Sequence, residues 1–318
     1  MKKVVLAAVY VFLVLSVKAQ ESQTAYNFLR LPVSAHVAAL GGDNSTIIED
    51  DATLIFHNPA LIMGVTDRTL NLNVMTYMQG STTASASFVR AAGEHGTWGV
   101  TAQYMGYGTM KETTVSGQQT GEFSAKDMAL GGTFAYTLSS KFAGGISAKF
   151  IASYIGQYNS IAAGVDLGLN YYDSDNELSV SAVARNLGGQ LSAYEDDFER
   201  MPLDVQLGVT KRLIGSPLRL SASLVRLNDW EYGFGKHLVI GADLILSPQL
   251  YIAAGYNAMR ASEMKISEGQ GADNSESAHG AGLSIGAGLQ LERLKINGAY
   301  AKYHVSTSSL LINLSYAL

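Results

Sequence analysis

Cysteine is absent from the 318 residues. That excludes disulfide frameworks, thiolate zinc sites and thiol catalysis, but it does not choose a redox compartment. Charge is scarce at 15%, against about 25% in soluble globular domains. The net charge of −5 gives no basic face for nucleic acid. A chain that is 47% hydrophobic is also too apolar for disorder. Proline is rare, at 5, beside 33 glycines. Beyond the first segment no apolar run nears the roughly 18 residues of a transmembrane helix. A membrane location for the exported chain therefore requires a closed barrel.

Lys2 and Lys3 precede an apolar or neutral run from Val4 to Val17, and Val17-Lys18-Ala19 supplies small residues at −3 and −1. This predicts a secretory signal peptide over residues 1–19, with Gln20 starting the exported chain. A short membrane anchor is the competing reading, but the run falls below the ~20 residues that span a bilayer.

From Thr69 onward the apolar pattern has period two. Leu178, Val180, Ala182 and Ala184 alternate with Ser179, Ser181, Val183 and Arg185. Ile161, Ala163, Val165, Leu167 and Leu169 alternate with Ala162, Gly164, Asp166, Gly168 and Asn170. Successive side chains of a strand face opposite ways, so one face is aliphatic and the other small or polar. Fourteen strands are predicted, near 69–78, 82–91, 97–105, 127–138, 141–153, 160–171, 177–186, 203–213, 217–227, 236–246, 249–257, 279–291, 294–303 and 308–318. Most match the 9–11 residues of a membrane-crossing strand rather than the 5–6 common in soluble sheets.

Every second connection is short, while 106–126, 187–202, 228–235 and 258–278 are long. Short periplasmic turns and long outer loops are the asymmetry of outer-membrane barrels. The predicted fold is an all-β, fourteen-stranded antiparallel transmembrane barrel over 69–318. It sits in a Gram-negative outer membrane, contacting its lipid, with long loops extracellular and termini periplasmic. Leu310, Ile312, Leu314, Tyr316 and Leu318 share one face of the last strand, which resembles a barrel-insertion signal. Tyr77, Tyr104, Tyr136, Tyr154, Tyr171, Tyr251 and Tyr303 stand near strand ends, where they would form interfacial girdles or face the lumen. Residues 20–68 lack the alternation and contain Leu40-Gly41-Gly42, Glu49-Asp50-Asp51 and Asn58-Pro59-Ala60. Fourteen strands enclose more space than wall side chains fill, so 20–68 is predicted to be a hatch inside the lumen. Inward positions such as Asn71, Asn73, Asp166, Arg185 and Asp243 read as small or polar.

Asn58-Pro59-Ala60 ahead of fourteen strands resembles the FadL-like outer-membrane barrels. Phe28-Leu29, Leu31-Pro32, Ser34-Ala35, Leu40-Gly41-Gly42 and Asn58-Pro59-Ala60-Leu61 together resemble the PorV/PorQ family of the type IX secretion system. Gly121-Glu122-Phe123-Ser124-Ala125, Asn186-Leu187-Gly188-Gly189-Gln190-Leu191 and Pro202-Leu203-Asp204-Val205-Gln206-Leu207-Gly208 place the resemblance on the PorQ branch. His36 stands where this family is expected to carry arginine. The resemblance implies a non-enzymatic part of the surface attachment complex, tethering a PorZ-like protein near a PorU-like sortase and a PorV-like shuttle. The alternative is a FadL-like transporter of hydrophobic small molecules, with the hatch as gate and an apolar pocket beside it.

No cofactor or metal is expected. His36, His57, His95, His237, His279 and His304 show no metal-ligand spacing and no clustered carboxylates. His304 and Ser306 would share a strand face, as a hydrolytic pair does, but no orienting carboxylate or oxyanion hole accompanies them. Gly280-x-Gly282-x-x-x-Gly286 has the wrong spacing for a dinucleotide loop and is read as relief of crowding beside the hatch. Asn44-Ser45-Thr46 reads as a hatch turn rather than a glycosylation site. Glu49-Asp50-Asp51 and Glu195-Asp196-Asp197 read as solvated turns rather than cation loops. Tyr194, Phe198, Trp230 and Tyr232 lie in outer loops, as interface anchors for a partner or as a headgroup rim.

Overall fold

A computed structural model describes residues 24–264, 280–304 and 307–318. The predicted signal peptide, Gln20, His279 and Ser306 lie outside them. Fourteen strands form one closed antiparallel barrel in which each pairs with its sequence neighbours. The seam joins β1 (Thr69–Thr76) to β14 (Thr307–Ala317), with Leu70 opposite Tyr316 and Leu72 opposite Leu314. No helix among the described residues is long and apolar enough to cross a membrane.

The alternation sets the wall. Leu70, Leu72 and Val74 are exposed while Asn71, Asn73 and Met75 are buried. The same rule turns Leu310, Ile312, Leu314 and Tyr316 outward and buries Ser309, Leu311, Asn313 and Ser315. An exposed aliphatic belt around a polar inner face is the pattern of a barrel that crosses a bilayer. Tyr104, Tyr136 and Tyr154 join the outer belt. Tyr251 and Tyr303 instead pack inward.

Two predicted loops are partly strand. β3 (Gly96–Thr113) and β4 (Gln119–Ser139) run on as a hairpin, leaving 114–118 as the turn where 106–126 was expected as loop. Beyond Gly106 both faces of this hairpin are largely exposed. The period-two signal vanishes there although backbone pairing continues. β7 (Leu178–Ser192) likewise passes its expected end at 186, where Asn186 has φ 61° and the register with β6 (Tyr158–Asp173) shifts. A bulge reverses which side chains face inward, so alternation stops while the strand continues. The long connections that remain, 193–203 and 225–237, lie at one rim, where the described residues 258–264 also stand. These two are joined there by the Asn228 Nδ2 donating to the Leu203 carbonyl at 3.1 Å.

The lumen is occupied by the chain's own N-terminal segment. Near the long-connection rim the Ala25 N–H donates to the Arg200 carbonyl at 3.0 Å. At the opposite rim the Leu318 N–H donates to the Arg68 carbonyl at 3.1 Å. The segment therefore runs from one rim to the other, with Thr24 and Leu318 at opposite rims.

Its local folding follows from its caps. The Ser34 side chain accepts from the Val37 N–H to start helix α1 (Ala35–Ala39). Gly41 and Gly42, at φ 106° and 95°, end it, the Gly42 N–H donating to the Val37 carbonyl at 2.8 Å. That 6→1 bond needs a left-handed residue after the helix, which glycine supplies without strain. Asp51 caps a 3-10 turn over Ala52–Phe56, and Asn58 caps another over Pro59–Gly64 with Pro59 in its first turn. The Asn58 Nδ2 also donates to the Ser45 carbonyl at 2.9 Å.

Glycines in the wall let this backbone approach. A Cβ at Gly145 would overlap the Pro59–Ala60 backbone, one at Gly255 the Leu40–Gly41 backbone, and one at Gly286 the Ala39 methyl. Crowding relief at Gly286 is thus as expected.

Candidate functional site

Buried charge is concentrated where the inner segment meets the wall, in two clusters. In the first, the His36 ring of α1 lies 2.7 Å from Glu49 Oε1 through Nδ1 and 2.6 Å from Asp243 Oδ1 through Nε2. Arg219 of β9 (Leu218–Leu224) donates to the other Asp243 oxygen at 2.7 Å and to Glu49 Oε2 at 3.5 Å. Tyr251 of β11 (Leu250–Asn257) stacks on the imidazole with centroids 3.8 Å apart. Burial by itself opposes protonation of His36, but Glu49 and Asp243 outweigh it and push its pKa up to about 9. Burial likewise acts to raise the Glu49 carboxyl, yet His36 and Arg219 hold it below the ordinary carboxylate value. The ring is a cation at neutral pH.

The second cluster lies toward the long-connection rim. Arg185 donates to Asp204 at 2.7 Å and to Asp43 at 3.4 Å. Gln206 donates to Asp204 at 2.7 Å, and the Asn257 Nδ2 donates to Asp43 at 3.1 Å. Arg260, over the Tyr303 ring at 4.6 Å, donates to the Gly41 carbonyl at 3.2 Å. Leu40-Gly41-Gly42 thus presents its carbonyl to the wall, a role its spacing did not reveal. Beside Arg185, on the side away from the first cluster, Lys149 pairs with Asp166 at 2.8 Å.

His57 is buried without a charged bond. The Ser34 N–H donates to its Nε2 at 3.3 Å, which needs a neutral ring. Burial, with Arg185 nearby, pushes its pKa down to about 3.

The expectation that no carboxylate stands beside a histidine is corrected by His36. Its partners are 13 and 207 residues away in sequence, and only the folded barrel brings them together. Glu49-Asp50-Asp51 is not a solvated turn either. Glu49 pairs with His36, Asp50 with Lys295 at 2.5 Å, and Asp51 bonds Thr53. Asn44 is the expected turn residue, its Oδ1 accepting from the Thr46 N–H at 2.8 Å. Among the described residues no group of His, Asp and Glu is arranged to hold a metal ion.

Two cavities border the segment. One of about 40 Å³ is lined by Leu29, Leu31, Val33, Ile55 and Lys149 among others. The other, of about 150 Å³, touches Glu49, Asp51, Arg219, Tyr251 and Lys295 near the turn at Pro248. The first is mainly apolar but far below the roughly 300–1,000 Å³ of a ligand pocket, and the second is lined largely by charged and polar side chains.

At the long-connection rim Phe198 and Trp230 are 66% and 62% exposed, so both are free to meet a surface. Tyr232 is half-buried beneath Lys236 at 5.5 Å. Tyr194 turns inward, bonding Ser153 and lying 6.5 Å from Tyr26, so it closes the lumen instead of projecting. His304 packs edge-on against Tyr77 at 6.1 Å.

Fold and lining define a membrane-spanning β-barrel filled by its own N-terminal segment. No protein-family model matches the sequence, and no curated protein matches it. Solved structures do. The Pseudomonas putida toluene transporter TodX is 15% identical with a TM-score of 0.56, covering 90% of this chain and 97% of its own. The deltaS2S3 mutant of the TodX monoaromatic hydrocarbon channel is 14% identical with a TM-score of 0.61, covering 90% and 99%. A Pseudomonas aeruginosa FadL homologue is 12% identical with a TM-score of 0.57, covering 91% and 99%. The chain shares the fourteen-strand FadL-like outer-membrane barrel fold.

Proposed function

We propose that this chain is a non-enzymatic outer-membrane barrel, plugged by its N-terminal segment and working through its long-connection rim. On this reading the rim faces outward and holds a PorZ-like surface protein beside a PorU-like sortase and a PorV-like shuttle. The observation that carries it is the filling of the lumen by hydrogen-bonded charges that leave a polar cavity beside the plug. The type IX secretion assignment itself rests on the resemblance of the Asn58-Pro59-Ala60 and Leu40-Gly41-Gly42 motif set. Affinity purification from outer membranes tests it. A co-eluting surface protein that is lost when 193–203 and 225–237 are replaced by Gly-Ser linkers supports the reading. Purification of the barrel alone discards it.

A second reading is a channel for hydrophobic small molecules. The fold comparisons favour it over the secretion role, because the proteins of like fold include a toluene transporter and a monoaromatic hydrocarbon channel. Uptake of radiolabelled toluene by proteoliposomes, above that of empty vesicles, would establish it.

A further inference from the structure

His36, Glu49, Arg219 and Asp243 come from α1, the following inner loop, β9 and β10 (Leu238–Ser247). They form a closed quartet of two cations and two anions. Both ring nitrogens of His36 face carboxylate oxygens, at 2.7 and 2.6 Å. Only the imidazolium carries two N–H donors, and it satisfies both carboxylate contacts, with the Arg219 Nη2 also 3.3 Å from Nε2. The 150 Å³ cavity meets the quartet at Glu49 and Arg219 and reaches the short-turn rim at Pro248. Water therefore has a place to stand directly beside these charges.

We infer that the quartet is a latch which seats the N-terminal segment against β9–β11, and that loss of the His36 proton releases this stretch and opens the barrel from that cavity. Without the proton one carboxylate faces a nitrogen lone pair, and the quartet carries a net negative charge in the interior. Such a group is stable only once hydrated, and the cavity supplies the water. The Arg219 Nη2, 3.3 Å from Nε2, can donate to that lone pair but leaves the quartet's net charge negative, and no other group around the ring supplies a cation. Asp51 adds a further carboxylate from the inner segment, Tyr251 stacks from β11, and Lys295 is engaged by Asp50. Other attachments of this stretch include Asn313 to the Val33 carbonyl and Ser284 to the Ala39 carbonyl, which are neutral, and Arg260 to the Gly41 carbonyl and Arg185 to Asp43, whose arginines stay charged across this pH range. The inference is independent of both functional readings above.

The full chain, refolded in detergent and inserted in planar bilayers, tests it. Wild-type conductance should rise at least about tenfold between pH 8 and pH 10, as the group with pKa near 9 loses its proton. His36→Arg, a permanent cation, should stay closed across that range, and His36→Gln should conduct already at pH 7. Hydrogen exchange of 35–47 in the wild type gives a readout that needs no variant, and it should accelerate over the same interval beyond the intrinsic pH effect. Unchanged wild-type conductance and corrected exchange up to pH 10 would overturn the latch. Opening of His36→Arg at the wild-type pH would overturn it as well.

Discussion

Gly168 of β6 lies directly over the side chain of Asn58, and a Cβ at that position would overlap the Asn58 Oδ1 and crowd the Pro59 ring. The most recognisable motif of the N-terminal segment is thus matched by a missing side chain in the wall. Gly168→Val should destabilise the barrel by about 1–3 kcal/mol, the usual cost of overpacking. Gly132, with nothing near its Cβ direction, is the control, and Gly132→Ala should be near neutral. Thermal unfolding in detergent compares them.

The aliphatic belt gives a second prediction. Leu72 is 50% exposed, midway along β1. Leu72→Arg should cost about 2–4 kcal/mol for folding into vesicles, the penalty for a cation on the lipid face near the midplane. The same variant in a non-lipid detergent should lose less. Equal losses in both media would mean that Leu72 does not face acyl chains.

Arg185 pairs with the buried Asp204 and the half-buried Asp43. Arg185→Met should destabilise by about 3–5 kcal/mol, because breaking a buried pair leaves its partners uncompensated. Adding Asp204→Asn should recover part of that loss. Urea unfolding of the single and double variants measures the coupling.

His57 predicts acid sensitivity. Its pKa in the folded barrel, about 3, lies below the ordinary histidine value near 6.5. Between those values the unfolded chain binds the extra proton, so stability is fully present above about pH 6.5 and declines as pH falls toward 3. His57→Gln should flatten this slope by on the order of 3 kcal/mol between pH 6.5 and pH 4. Parallel slopes for the two proteins would mean that the imidazole does not titrate this way.

Trp98 and Trp230 can be told apart by depth. Trp98 lies on the outer face of β3, while Trp230 stands in the connection 225–237. Lipids brominated on the acyl chain should quench Trp98 in Trp230→Phe and leave most of the Trp230 emission in Trp98→Phe. Strong quenching of both would assign Trp230 to the membrane rim instead of a docking surface.

What the sequence reveals follows from period. Each wall strand repeats its inside–outside choice every two residues, so Leu72, Asn73 and Val74 disclose their faces without knowledge of their neighbours. The inward charges Arg185, Asp166 and Asp243 were legible for the same reason. Their partners were not. Glu49 and Asp43 sit in a segment with no period, and nothing local to them states which wall strand they will meet. The strands that continue past the lipid, at Thr109–Thr113 and Leu187–Ser192, escape for the opposite reason. There both faces are wet or a bulge reverses the alternation, and pairing persists without its signature. Tyr194 shows the limit of reading loops by composition, since an aromatic outside a strand is as readily a stopper as an anchor.

Threading imposes an order on assembly. The stretch from Ala25 to Arg68 passes through a ring of hydrogen bonds that is completed only when Thr69–Met75 pairs with Leu311–Ala317. Asn313, which grips the Val33 carbonyl, belongs to that final partner. A finished ring offers the chain no sideways entrance, so the strands must wrap around a core already lying among them. The strand Thr307–Ala317 then shuts the wall behind it.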